Sequence, residues 1–394
     1  MPRAVWLLVI GMLVNVTGNS FLWPLNTIYI HDYLGKSLTV AGFVLMANQG
    51  AGVIGNLLGG FLFDRIGGYK SILGGIGLSI LALICLVFWN DWPSYVWFLM
   101  VLGFSGGIIF PSMYAMIGSV WPDGGRKAFN TLYLSQNVGV AIGPSLAGLV
   151  ASVNIHYIFS ANLFFYVIFF LFAFFGYKNM ETAPDLQTNV LKEQKAITDK
   201  APFYALLIIT GGYLLTWIIY SQWSTTISTF ALDLGVSLRQ YSLIWTINGL
   251  LIVLGQPIIR PIIKRLEHKI KTQMLIGIFI FIISFTVVAY ADSFKMFVAA
   301  MVIVTFGEMF VWPAIPTIAN QLAPRGREGF YQGIVNSSAT IGRMIGPVAG
   351  GILVDIYDMR VMIFILTALM SLAIITTLVY DKPMKKTGYS MKSE

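Results

Sequence analysis

An all-α membrane protein, with twelve transmembrane helices in two pseudo-symmetric bundles of six, is the fold class this sequence predicts. Three observations lead there: too few charges for a water-facing surface, twelve apolar runs of bilayer length, and basic residues confined to alternate loops. Of the 394 residues, 57% are hydrophobic and 11% charged, with a mean hydropathy of +0.78. A soluble domain carries about 25% charged residues. A surface facing lipid removes the deficit, because it needs no solvation by water.

The same composition excludes other classes. Cys85 is the single cysteine, so neither a disulfide framework nor a thiolate metal site is available. His31, His156 and His268 are scattered singly, without metal-ligand spacing. The net charge of +8 lies in short clusters between apolar runs and forms no patch suited to nucleic acid.

A bilayer core needs about 20 apolar residues in helix. Runs of that kind fall at 5–30, 39–63, 71–90, 94–119, 130–153, 157–177, 203–230, 240–263, 272–291, 294–320, 330–354 and 360–380. The ninth and tenth are divided by a very tight turn. No convincing small-residue cleavage site follows Met1–Arg3, so the first run is expected to stay as a helix. With the N-terminus inside, the cytoplasmic loops hold 20 basic residues, among them Arg65, Lys70, Arg126, Lys127, Lys264, Arg265, Arg325 and Arg327. The opposite loops hold only Lys36, Arg239, Lys295 and Arg360. That bias predicts a multi-pass protein of the cell (plasma or inner) membrane with both termini cytoplasmic.

Lys178 to Pro202 is the one long polar stretch and divides the spans six and six. The expected organisation is an N-terminal bundle at 1–178, a cytoplasmic linker at 179–202, a C-terminal bundle at 203–381 and a tail at 382–394. The bundles read as copies. Gly139, Gly143, Pro144 and Gly148 in the fifth span recur as Gly342, Gly346, Pro347 and Gly351, 203 positions later. Pro111 corresponds to Pro313, and Asp64-Arg65 to Lys264-Arg265. A repeat of six helices about an axis along the membrane normal is a transporter plan, with the substrate site between the repeats near the midplane.

After the second span the sequence runs Gly55-Asn56-Leu57-Leu58-Gly59-Gly60-Phe61-Leu62-Phe63-Asp64-Arg65-Ile66-Gly67-Gly68-Tyr69-Lys70. This resembles the cytoplasmic loop signature of the major facilitator superfamily, in which spaced glycines precede Asp-Arg-x-Gly-Gly and a basic residue. The resemblance implies a gating latch at Gly60, Asp64, Arg65, Gly67 and Lys70, with Asp64 as its acid. Asp123-Gly124-Gly125-Arg126-Lys127 and Arg325-Gly326-Arg327-Glu328 resemble the family's other latches, which adds Asp123, Arg126 and Arg327. The run Gly139 to Gly148 resembles the glycine-proline signature of the family's antiporters, especially drug:proton exporters. Its small residues are expected to pack tightly where the two halves meet.

Glu308, in Gly307-Glu308-Met309-Phe310-Val311-Trp312-Pro313, is the carboxylate at mid-membrane depth. A charge there costs about 3 kcal/mol or more, so an acid in that position is read as functional. The segment resembles one in some multidrug:proton antiporters and in proton-coupled peptide carriers, which implies that Glu308 gains and loses the coupling proton. A structural ion pair is the alternative. Arg343 shares the depth of Glu308 and is expected to pair with it or to line the cavity beside it; snorkelling to the outer headgroups is the alternative.

Asn15, Asn19 and Asn26 fall at helical spacing on one face of the first span. With Tyr29, Gln136, Asn137, Trp217, Gln222, Trp245, Asn248, Trp312 and Asn336 they make a candidate cavity wall for an amphipathic or cationic organic substrate. Polar glue between helices is the competing reading for each. Two features depart from the family's exporters: Gly103 to Phe110 brings no arginine to the fourth span, and neither the first nor the fifth span carries an acid.

The expected function is therefore a monomeric, proton-coupled antiporter exporting drugs or other lipophilic or cationic molecules. A proton-coupled carrier of one metabolite (a sugar, peptide or organic anion) is the alternative, and sodium the alternative coupling ion. Its partners are a small-molecule substrate, protons and the lipid bilayer, with no nucleic acid and no cofactor besides the proton. No catalytic cluster suggests an enzyme.

Overall fold

The structure, a computed structural model, describes residues 1–23, 25–36, 38–178, 180, 200–266 and 269–387. Among these, twelve helices have 17 residues or more. They are α1 (Arg3–Asn19), α2 (Leu38–Ile66), α3 (Gly68–Phe88), α4 (Ser94–Val120), α5 (Gly125–Val153) and α6 (Tyr157–Gly176), followed by α7 (Ala201–Tyr220), α8 (Leu238–Leu254), α9 (Ile270–Ala289), α10 (Phe294–Val311), α11 (Glu328–Ile356) and α12 (Met359–Val379). Ten helical segments of the described residues are long and apolar enough to cross a bilayer. An eleventh joins Leu243–Leu254 to Gln256–Arg265 across a 53° bend, and α1 is a shorter apolar helix.

Sequence chemistry explains the ends and breaks. Only Gly67 separates α2 from α3, and its φ of 87° is a conformation that costs a residue without Cβ nothing. Gly326, at φ 79°, makes a turn of the same kind before α11. The bend after α8 falls at Gly255, just before Pro257, which has no N–H to continue the ladder. Pro313 ends the regular part of α10, and helix resumes at Ala314–Leu322. Its counterpart Pro111 lies inside an unbroken α4.

One expected span is corrected. The first does not run unbroken to residue 30. It ends at Asn19, and after a turn Asn26–Ile28 leads into a π-helical turn at Tyr29–Tyr33. Asn26 therefore does not share a helical face with Asn15 and Asn19. The seventh, expected at 203–230, lies within one apolar span, Ala201–Asp233, that carries a 3-10 turn between Tyr220 and Thr226.

By packing, one unit gathers Met1–Gln194 with Ala323–Thr340, and the other Lys195–Leu322 with Ile341–Glu394. In the first, α2 packs along α4 and α1 lies against α5 and α6. In the second, α9 packs along α10, and α7 and α9 both meet α12. The expected linker at 179–202 falls, apart from Met180 and Lys200–Pro202, outside the described residues, as do His268 and 388–394 of the tail.

Candidate transport site

Glu308 is buried on α10, 3% exposed. Two donors from other helices converge on its Oε1: the Tyr220 hydroxyl of α7 at 2.9 Å and the Asn248 amide of α8 at 2.9 Å. The same amide nitrogen donates to Thr305 Oγ1 at 2.8 Å, one turn before Glu308. A buried carboxyl group without partners loses the solvation water gave it, and each donor restores part of that loss. The acid thus ties three helices of the second unit together through one oxygen.

An aromatic tier adjoins it. Trp312, four residues past Glu308 and 7% exposed, stacks on Trp217 of α7 with ring centroids 4.7 Å apart and planes 10° from parallel. Tyr213 and Tyr220 meet Trp312 edge-on at 5.5 Å, and Phe281 of α9 lies 5.3 Å away. The Arg343 guanidinium stands 4.6 Å from the centroid of Trp217, in cation–π geometry. Trp217 therefore carries an arginine against one neighbour and a tryptophan against another. Tyr220 touches both the Trp217 ring, at 5.3 Å, and the Glu308 carboxyl. Trp245 is half-buried on α8, one turn before Asn248.

A second acid is held differently. Asp64, near the end of α2, accepts from the backbone N–H of Gly329 through Oδ1 and of Phe330 through Oδ2, both at 2.8 Å. These are first-turn donors of α11, which have no partner within their own helix and lie at its positive end. Arg327 and Glu328 flank the carboxylate. The close approach depends on glycine: a Cβ on Gly60 would sit 2.2 Å from the Gly329 carbonyl oxygen. Arg65 turns outward over the Phe61 ring at 5.8 Å, and Lys70, Asp123 and Arg327 are exposed, while Arg126 is buried on the first turn of α5.

The comparisons with known proteins agree with this architecture. The family model for the Major Facilitator Superfamily matches residues 8–272 and 213–392. The chain belongs to the major facilitator superfamily. It is thus a multi-pass membrane transporter of small molecules and not an enzyme. It is 58% identical over 392 residues to YttB of Bacillus subtilis (strain 168), named as an uncharacterized MFS-type transporter, covering 100% of this chain and 98% of that one. It is 22% identical to the multidrug resistance protein MdtH of Aeromonas hydrophila, over 89% of this chain and 87% of the relative. Among solved structures, the human organic anion transporter MFSD10 (TETRAN) superposes with a TM-score of 0.77 at 13% identity, covering 96% of this chain and all of that one.

Within this major facilitator fold, the glycine-proline segment packs against the first helix of its own unit. A Cβ on Gly139 would lie 2.9 Å from Val16 Cβ, and one on Gly143 2.3 Å from Ser20 Cβ, both neighbours on or just past α1. Pro144 lies inside α5, and a Cβ on Gly148 would meet nothing within 4 Å.

Four of the other expected wall residues tie one segment to another. Asn26 accepts from the Tyr95 hydroxyl at 2.8 Å, and Tyr29 donates to Asn90 Oδ1 at 3.0 Å. Gln136 donates to the Tyr114 hydroxyl at 3.0 Å, and Gln222 to the Gly346 carbonyl at 2.7 Å. Asn137 and Asn336 bond to carbonyls of their own helices. Asn19 is half-buried and Asn15 buried on α1. Asn248, Trp217, Trp312, Glu308 and Arg343 are brought together. Tyr213, Tyr220 and Thr305 complete that group and were missed, although 213, 217 and 220 form an aromatic row at helical spacing.

Proposed function

We propose that this transporter is a proton-coupled antiporter exporting lipophilic or cationic small molecules, with twelve spans and both termini in the cytoplasm. The observation that carries the reading is a buried carboxyl group, Glu308, held by two neutral donors from two other helices. A proton arriving from outside neutralises Glu308 and weakens both charge-assisted hydrogen bonds, so α7, α8 and α10 are freed together. The stacked Trp217 and Trp312 beside it offer a flat, polarisable surface to an aromatic or cationic substrate. Asp64 on the first turn of α11 supplies the latch that opens and closes with each cycle.

One observation favours the second reading, a carrier for a specific metabolite. Arg343 places a permanent positive charge against Trp217, where a planar organic anion finds both an ion partner and a stacking face.

Transport of a fluorescent cation into inverted vesicles, with a pH gradient imposed and then collapsed, tests the first reading. Glu308→Gln keeps an oxygen for Tyr220 and Asn248 but carries no proton. Gradient-driven uptake should fall about tenfold or more, as expected for an intramembrane acid that relays protons. Full uptake by this variant would remove Glu308 from the coupling. Strong inhibition by organic anions, with none by unrelated cations, would favour the metabolite carrier.

A further inference from the structure

A groove of about 1000 Å³ opens on the first unit, between the beginning of α1 and the end of α6. Such a volume lies at the upper end of the range of about 300–1,000 Å³ for ligand pockets. Its walls are apolar: Leu7 on α1, Val120 at the end of α4, and Ile168, Leu171, Phe172 and Phe175 on α6. Phe175 is 76% exposed and Leu171 50%, so in a membrane transporter the groove faces hydrocarbon. Its floor is fixed by contacts across α1 and α6. The Tyr177 hydroxyl donates to the Leu7 carbonyl at 3.3 Å, and a Cβ on Gly176 would meet the Leu7 side chain at 3.6 Å.

One end of this apolar channel is basic. Arg3 belongs to the lining itself. Lys178 is exposed two positions after Gly176, and the Lys127 ammonium lies 5.5 Å from the ring centroid of Trp121, the residue after Val120. Among the described residues around this end Asp123 is the acid, leaving the cations Arg3, Lys127 and Lys178 in excess there. A tryptophan and basic side chains at the end of an apolar run mark the depth of the headgroups. There an arginine pairs with a phosphate through two parallel N–H donors.

We propose that this groove is a binding site for an anionic phospholipid of the leaflet on the basic-loop side, its phosphate on Arg3 and an acyl chain along Leu171, Phe172 and Phe175. The occupant follows from the charge and the surroundings. Lipid covers the groove in any membrane, and the excess of cations at its polar end selects the lipid that carries net negative charge. The site lies wholly within the first unit and shares no residue with Glu308 or the aromatic tier.

The test uses the full chain purified in detergent, titrated with phosphatidylglycerol and phosphatidylcholine of identical, tail-labelled acyl chains. Phosphatidylglycerol should bind about fivefold more tightly, the share expected of one basic side chain at an anionic headgroup. Arg3→Gln should weaken phosphatidylglycerol binding and narrow the gap between the two lipids. Leu171→Trp fills the groove without touching its charge and should weaken both lipids alike. Equal affinities in the wild type, a preference undiminished by Arg3→Gln, or affinities unchanged by Leu171→Trp overturns the proposal. Displacement of the lipid by an equal concentration of glycerol 3-phosphate also overturns it, since the site would then take a soluble phosphate ester. A photoactivatable phosphatidylglycerol gives a readout without variants: its crosslinks should map to residues 3–7 and 168–176, and crosslinks confined elsewhere reject the site.

Discussion

Asn48 on α2 and Asn248 on α8 stand 200 positions apart, and each uses its amide to fasten one helix to another. In the first unit, Asn48 donates to the Leu99 carbonyl of α4 at 2.6 Å. In the second, Asn248 reaches α10, where it finds Thr305 and Glu308. Counting back from the paired prolines, Pro111 and Pro313, Thr305 corresponds to Gly103 and Glu308 to Gly106. A Cβ on Gly103 would collide with Asn48, 2.5 Å from its Nδ2, and one on Gly106 would meet nothing within 4 Å. One scaffold therefore serves two purposes. In the first unit the asparagine holds bare backbone close, and in the second the same joint is opened far enough to hold an acid.

The glycine seams make the same comparison with a different outcome. Gly143 abuts Ser20, and Gly346 abuts Ser221, each serine donating to a carbonyl of its own chain segment at 2.8 and 2.9 Å. Here the repeat has kept both copies alike. The largest expected effect breaks either copy: Gly143→Val and Gly346→Val overpack their seams and should each cost about 3 kcal/mol, near the upper end for added core volume. Thermal denaturation in detergent reads both, and a loss confined to one would show that the seams are not equivalent.

Next comes the asparagine pair. Asn248→Leu leaves Glu308 short of a donor and should cost about 2 kcal/mol, whereas Asn48→Leu removes a bond to a backbone carbonyl and should cost about 1 kcal/mol. Equal costs would mean that Glu308 draws little support from Asn248. A double-mutant cycle of Asn248→Leu with Glu308→Gln should show coupling, because the two share one hydrogen bond.

Asp64→Asn is expected to have an intermediate effect of about 1–2 kcal/mol. It keeps an acceptor for one N–H but gives up the charge that strengthens both bonds. Lys264 occupies the equivalent position in the repeat and has no acceptor to offer, so Lys264→Ala should change stability little. The smallest effect belongs to Gly148→Ala and Gly351→Ala, where a Cβ meets open space. Each should lie within about 0.5 kcal/mol of the parent. A marked loss in either would show that the fourth glycine of the seam has a partner of its own.

The fold was legible wherever hydrophobicity alone decides it. Spans such as α3, α6 and α9 are dominated by apolar residues, whereas the tenth run was expected unbroken over 294–320 and the break at Pro313 was not read. The ending of α1 at Asn19 was less legible, because Asn19-Ser20-Phe21-Leu22 reads as a tolerable stretch of membrane helix. In the candidate site, Glu308, Arg343 and Asn248 stood out because polar groups inside an apolar run are costly. Tyr220 did not, since a tyrosine near the end of a span reads first as an interfacial anchor. The partners of Asp64 could not be read from residue types at all, because main-chain N–H groups look the same at every position.

That last point bears on how the Asp64 contact can be lost. An ion pair between side chains fails when either residue changes, so two codons guard it. Here the acceptor is one side chain and the donors are two peptide groups, which every residue except proline supplies. Phe330 is therefore free to vary in chemistry, while Gly60 and Gly329 are constrained by space and Asp64 by charge. Drift in the loop before α11 leaves the contact standing, and its vulnerability is concentrated at one carboxylate and the two glycines that let it approach.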